Sequence, residues 1–288
     1  MRLFALGLCW LLLGWAQAQA QVRPYDEIVA SGVLKVALYE NFPPYSFQQD
    51  GQPRGVDVEL AQALAEGLQL RLELLWVTPG EKLDDDLRNF IWKGHYLRPE
   101  VLADLMLRVP YDRDFAFKRN ELGELINELV VMFGPYQRER WQVAYDDRRL
   151  EAVPSVAVFQ FHPIGVEVDS VPSFYLGSVF GGRLSRQTQH YPSPQAAFAA
   201  MRAGAVDATM AMRGELDWLL HQAADPHLHL AENAYPNLGE QVWDLGMAVH
   251  ESNRQLAYAL EEVLERLIHE GRLERIYRAN GLRYELPG

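Results

Sequence analysis

The chain has 288 residues and a formal net charge of −12, an acidic balance that argues against nucleic acid and anionic membrane surfaces as partners. Its single cysteine, Cys9, falls in an N-terminal segment that reads as cleaved, which excludes a disulfide scaffold, a thiol nucleophile and a thiolate metal site in the mature protein. The remaining residues, about 270, exceed what one hydrophobic core usually organises, so two lobes are expected.

Residues 1–20 carry Arg2, an apolar run from Leu3 to Trp15, and Ala16-Gln17-Ala18-Gln19-Ala20. The run is too short to span a bilayer and the small residues offer cleavage after Ala18 or Ala20, as in a signal peptide. Export without disulfides suits a bacterial periplasm. Losing Arg2 takes the charge to −13.

Tyr25 to Ser31 is expected to form a turn of helix. Leu34, Val36 and Leu38 then alternate as in a strand, Phe42-Pro43-Pro44-Tyr45 stops it, and Val56, Leu60 and Leu64 recur at helical spacing until Gly67. Leu70, Leu72, Leu74 and Trp76 alternate again, which makes a parallel strand–helix–strand unit. Ligands of open α/β sheets sit at the carboxyl ends of strands, so Tyr39, Phe42 and Tyr45 are candidates for a binding wall; each alone serves equally well as a cap on the core.

Asp84-Asp85-Asp86 lacks the glycine and the ligand spacing of a calcium loop and reads as a solvated helix start. A short amphipathic helix over Leu87 to Gly94, an extra loop over His95 to Pro99 and a strand over Val101 to Val109 follow. Arg108 and Arg113 lie at or just past the carboxyl end of that strand, where a guanidinium fork meets an anionic ligand group; pairing with Asp112 or Asp114 is the structural alternative.

Leu129 to Phe133 reads as an apolar strand bounded by Gly134-Pro135, and the charged stretch Gln137 to Arg149 as the handover between lobes. Ser155 to Phe159 is expected to be the first strand of the second lobe. That places His162 after a strand and ahead of a helix, available either to a ligand or to the loop backbone. Ser193 and Pro194 start a helix as N-cap and N1, Ala205 to Met212 returns as a strand, and a helix covers Gly214 to Ala223. His221, His227 and His229 lack a third ligand at fixed short spacing and read as part of an exposed loop. Gly246 to Val249 is a short strand, Asn253 caps a helix with Leu256, Leu260, Val263 and Leu267 on one face, and a last amphipathic segment follows Gly271.

Three stretches in this order resemble the family 3 periplasmic solute-binding proteins that serve ABC importers of polar amino acids: Leu34 to Leu70 with Pro43-Pro44-Tyr45-Ser46-Phe47, Ala203 to Ala208, and Gly246 to Tyr277. The resemblance implies a two-lobed α/β fold of the type II periplasmic-binding-protein kind, each lobe a mainly parallel sheet flanked by helices, with two crossing segments. Lobe 1 then takes residues 22–126 and 244–288, and lobe 2 takes 127–243. It further implies a monomer without cofactor or catalysis that captures a small polar solute between the lobes and delivers it to a membrane ABC permease.

Residue by residue, Tyr39 and Phe42 match positions that line the ligand in this family. Arg113 matches the arginine that grips an α-carboxylate, with Arg108 as its competitor. The Ser/Thr residues that normally precede that arginine are replaced by Arg108-Val109-Pro110, and the Gly-Ser/Thr pair opening the second lobe by Phe161-His162-Pro163. Met212 stands where many amino-acid binders keep an aspartate for the ammonium. A buried ammonium without a carboxylate is costly, so the site is not built for an ordinary α-amino acid.

Leu87 to Gly94 and Asp104 to Pro110 also look like segments of solute-binding-like proteins found alongside quinoprotein (PQQ) alcohol dehydrogenases, which implies an accessory role to such an enzyme; the loop His95 to Pro99 departs from them. Other relatives dehydrate prephenate-like substrates, as cyclohexadienyl dehydratase does, and Glu40 and His162 are the acid candidates here. The chain has no glycine-rich phosphate loop, serine elbow or metal-binding helix motif.

Overall fold

The computed structural model describes residues 21–288; the expected signal peptide and Cys9 lie outside the described residues. The chain opens with helix α1 (Tyr25–Ser31), strand β1 (Val33–Tyr39), a hairpin of β2 (Phe47–Gln49) and β3 (Gln52–Arg54), helix α2 (Val56–Gly67) and strand β4 (Arg71–Val77). Helix α3 (Leu83–Leu87) runs into a π-turn over Arg88–Trp92, followed by β5 (Leu105–Pro110), α4 (Arg113–Ala116) and the long strand β6 (Val130–Asp146). A 3-10 turn over Val156–Gln160, β7 (Ile164–Glu167), α5 (Val171–Gly182), β8 (Thr188–Tyr191), α6 (Pro194–Arg202), β9 (Ala208–Met212), α7 (Arg213–Ala223) and β10 (Leu228–Ala231) complete the middle of the chain. It returns through β11 (Val242–His250), α8 (Arg254–His269) and α9 (Arg272–Ala279).

The strands follow the order β4-β1-β5-β11-β6-β9-β7-β8, with β10 on β6 as well. β1 is parallel to β4 and β5, and β7 is parallel to β8 and β9, while β6 and β11 are antiparallel to their neighbours. This is the two-lobed α/β architecture expected, with β6 running from the first sheet into the second.

Period-2 alternation sorts β1: Leu34, Val36 and Leu38 enter the larger core of the first lobe, and Ala37 enters the smaller one beside Leu87, Ile91 and Met106. The stripe Leu256, Leu260, Val263 and Leu267 of α8 closes the larger core together with Leu60 and Leu64 of α2. Each such side chain contributes roughly 1.5–3 kcal/mol by leaving water. In the second lobe Val143 of β6 faces Phe159, Ile164 and Leu176, and its neighbour Ala144 faces Phe198, Met201 and Leu216 on the opposite side. No helix among the described residues is long and apolar enough to cross a membrane.

Several expectations need correction. Gly134-Pro135 does not end a strand; β6 passes through both. Gly134, Pro135 and Tyr136 stand opposite Gly246 alone in a bulge, so the missing N–H of Pro135 costs no ladder bond. The charged stretch after it is strand as far as Asp146, passing from β11 to β9 between Arg140 and Trp141, and its charges are paired: Arg138 with Asp244, Arg140 with Glu285. The strand expected over Val101–Val109 starts only at Leu105. Residues 155–159 are not a strand, because the run is short enough to wind once, capped by Ser155, and bury Val156 and Phe159 three residues apart. The first strand of the second lobe is β7, after His162 rather than before it. Asp84 and Asp86 are not solvated: Asp84 meets Lys118 and Asn127, and Asp86 is 3% exposed.

Candidate binding cleft

β1 delivers Tyr39 to its carboxyl end, and the next seven residues fold back so that Phe42 N–H bonds Ser46 O at 2.8 Å. Tyr39 donates its phenol to Asp86 Oδ2 at 2.8 Å, and Asp86 also accepts from Gly80 N–H at 2.8 Å. Phe42 lies between two tyrosines, edge-on to Tyr39 at 6.3 Å and tilted against Tyr45 at 4.9 Å. Tyr39 and Phe42 are half-buried; Tyr45 is wholly buried.

Beneath the loop lies a buried polar network. Arg108 sends Nε and Nη2 to the two carboxylate oxygens of Asp57 at 2.6 and 3.0 Å, and Nη2 also reaches Gln137 Oε1 at 2.8 Å. Its guanidinium carbon sits 3.5 Å from the centre of the Tyr45 ring, a stacked cation–π contact. Tyr277 donates to Gln137 Oε1 at 2.7 Å, and Tyr136 Oη accepts from Arg108 N–H at 2.9 Å. Arg108 holds a left-handed backbone (φ 60°), a conformation that a non-glycine residue keeps only where its surroundings over-determine it.

The carboxylates facing this network belong to the crossing strand and the second lobe. Glu139 accepts from Tyr45 Oη at 2.6 Å, Gln137 Nε2 at 3.0 Å, Arg140 N–H at 2.9 Å and Gly214 N–H at 3.3 Å. Burial nevertheless raises its pKa above the usual carboxylate range. Glu215, three residues into α7, accepts from Met212 N–H at 3.1 Å, reaching back to the residue that precedes the helix. Burial first, then the neighbouring Glu167 and Glu139, push its carboxyl up to about 8, so Glu215 is protonated at neutral pH. Burial raises the half-exposed Glu167 at the end of β7 as well. The phenols of Tyr39 and Tyr45 are pushed far up by burial and by Asp86 and Glu139, which keeps both as donors.

The lobes touch at this network. A Cβ on Gly214 would lie 2.5 Å from Tyr45 Oη and 3.0 Å from Glu139 Oε2, so only glycine admits the approach of α7. Phe47 meets Trp218 edge-on at 5.9 Å, and Met212 packs against the larger core of the first lobe.

The structure therefore brings Tyr39, Phe42, Tyr45, Arg108 and Met212 to one region and leaves two candidates outside it. Arg113 is exposed on α4, 5.9 Å over Phe117, and with Tyr111 and Met132 lines a surface cavity of about 310 Å³. His162 bonds Asp207 through Nδ1 at 2.9 Å at the amino end of β7. β7 aligns Ile164 with Ala208, so His162 stands about six residues, or about 20 Å, from Met212 along the sheet. The loop at the carboxyl end of β7 is instead Val168-Asp169-Ser170, whose serine caps α5. Arg108 and Tyr45 are in place but committed to Asp57 and Glu139. His227 and His229 both bond Asp147 at 2.8 Å.

Asp57, Gln137, Glu139 and Glu215 were missed as members of the site. Alternation along residues 137–140 was the available signal: it puts Gln137 and Glu139 on one face and Arg138 and Arg140 on the other.

Residues 34–281 match the family described as bacterial extracellular solute-binding proteins, family 3. The chain belongs to this family. Cyclohexadienyl dehydratase of Pseudomonas aeruginosa is 34% identical to it over 110 residues, 37% of this chain and 41% of that protein, so the match spans about two fifths of that relative. An ancestral cationic amino acid solute-binding protein superposes with a TM-score of 0.67 at 17% identity, over 89% of this chain and 98% of the other. An amino acid ABC transporter substrate-binding protein from Streptococcus pneumoniae bound to L-arginine gives 0.60 at 19% identity, over 91% and 98%. At such identities the superpositions establish the fold alone.

Proposed function

We propose that this family 3 protein is exported to the periplasm and captures a small polar solute, without catalysis, between the Tyr39–Phe42 wall and Met212, for delivery to a membrane ABC permease. The lobes would be those expected from the sequence, 22–126 with 244–288 and 127–243, except that the first part of β6, which pairs with β11 and carries Phe133 and Tyr136 into the first core, goes with the first lobe; β6 and β11 would form the hinge. The observation that carries this reading is the state of the charges around the cleft. Arg108 is spent on Asp57, Glu215 is protonated, and a thioether ends β9 where an ammonium partner would stand. A zwitterionic amino acid brought here would leave its charges uncompensated, at a cost of several kcal/mol. A neutral polar solute with an apolar face is the better complement. Thermal-shift screening of amino acids, carboxylates and neutral alcohol-oxidation products tests this. A neutral solute should raise the melting temperature of the wild type and not of Phe42→Ala; tight binding of an α-amino acid, or silence from every compound, would sink it.

Dehydration, the activity in the name of the Pseudomonas relative, is a second reading favoured by Glu167, a half-exposed carboxyl whose pKa is raised. The acids expected from the sequence do not meet: Glu40 accepts from Thr78 and His162 bonds Asp207. Prephenate incubated with the protein decides it, turnover being expected to vanish in Glu167→Gln. The reading as a partner of a quinoprotein dehydrogenase rests on residues 87–94 and 104–110, and these are largely buried in the first lobe, where they serve its packing.

A further inference from the structure

A second cavity, of about 390 Å³, lies beside the crossing strands. β6 contributes Arg140 and Gln142, β11 contributes Val242, α7 contributes Arg213, the segment after β10 contributes Asn233, and the C-terminal tail contributes Glu285. None of Tyr39, Phe42, Arg108 or Met212 lines it.

Its walls hold polar atoms without partners. Arg140 and Arg213 each send one guanidinium nitrogen to Glu285, while the Nε of both is buried and unbonded. Arg213 Nε is 3.6 Å from Asp217 Oδ2, past hydrogen-bond reach. Gln142 is 8% exposed and spends its Nε2 on Ala231 O at 3.0 Å. That acceptor orients the amide and leaves Oε1 buried without a donor. Asn233 Oδ1 is in the same state. Tyr235, also in the lining, has its buried Oη unbonded. Buried polar groups are nearly always satisfied, so five orphaned atoms around one polar cavity mark a missing partner.

The missing partner can be read from the orphans. Two guanidinium N–H groups want an anionic acceptor, and two amide oxygens want a donor. Arg140, Arg213 and Arg283 outnumber the carboxylates of Glu232 and Glu285 in the lining, which disfavours an ammonium donor; a hydroxyl carries no charge and suits the amides. We propose that this hinge-side cavity is a binding site for a small hydroxy carboxylate, its carboxylate on Arg140 and Arg213 and its hydroxyl on Gln142 or Asn233. Because both crossing strands, α7 and the tail line it, an occupant would favour one setting of the lobes over another.

Three probes separate the elements of the claim: L-malate carries carboxylate and hydroxyl, succinate the same skeleton without the hydroxyl, and erythritol hydroxyls only. Calorimetric titration of the full mature protein should show malate binding about tenfold or more tighter than succinate, since a site that hydrogen-bonds a hydroxyl rejects the analogue lacking it. Erythritol should not bind. Asn233→Ala, a change on a surface segment, should weaken malate several-fold, and Arg140→Lys, which keeps the charge but removes Nε, should do the same. Phe42→Ala should leave malate binding intact. Equal affinity for malate and succinate, no binding of either, or loss of malate binding in Phe42→Ala with retention in Asn233→Ala would each overturn the proposal. The cleft reading is untouched by those results, because its own test turns on the melting shift given by a neutral solute and the loss of that shift in Phe42→Ala.

Discussion

Tyr45 donates its phenol to Glu139 Oε2 at 2.6 Å, and this one bond ties the aromatic loop after β1 to the strand that crosses between the lobes. In Tyr45→Phe the ring still fills its place under Arg108, while Glu139 keeps Gln137, Arg140 and Gly214 as donors. The expected loss is therefore that of one charge-assisted bond, about 1.5–3 kcal/mol, seen as a lower urea midpoint at unchanged slope. An unchanged midpoint would show that the bond contributes nothing net.

The Arg108–Asp57 pair is buried on both sides, with side chains 6% and 1% exposed. Removing one charge strands the other, so Asp57→Asn should cost about 3–5 kcal/mol. The double variant Asp57→Asn with Arg108→Met should recover part of that cost. A double-mutant cycle on equilibrium unfolding measures the coupling, and simple additivity of the two changes would refute a cooperative pair.

Glu215 makes stability depend on pH with a definite sign. Its carboxyl goes from 4.5 to about 8 on folding, so the folded protein keeps a proton that the unfolded chain releases. The associated stability is fully present below about pH 4.5, declines as pH rises through the window above it, and is gone beyond about pH 8. Glu215→Gln keeps a neutral acceptor for Met212 N–H and removes the titration. Relative to the wild type the variant should gain stability steadily from pH 5 to pH 8, by on the order of a few kcal/mol. Parallel stability curves would mean that Glu215 is ionised in the fold. Glu139 shifts in the same direction, so a residual slope is expected in the variant.

What could be read from the sequence followed from local periodicity. β1, α2 and α8 announced themselves because each has a one-sided apolar pattern long enough to exclude the other period. Residues 155–159 did not, since five apolar-rich residues fit a turn or a strand and only the second lobe's core decides. Misplacing that strand carried His162 to the wrong end of the sheet. Pro135 misled because its effect depends on whether a partner strand needs its N–H, and Gly246 on β11 removes that need. The partners of Arg108 were out of reach: Asp57 lies 51 residues away, and nothing local distinguishes it from an acid at a helix start. The end of β9 at Met212, by contrast, was legible in the pattern of Ala205 to Met212.

The 17 unbroken residues of β6 also bear on how the molecule comes apart. One end of that strand is laddered to β11 in the first lobe and the other to β9 and β10 in the second. Melting either lobe strips bonding partners from the strand on which the other is built. Heat should therefore produce a single calorimetric transition, whereas lobes joined by slack connectors would unfold in sequence.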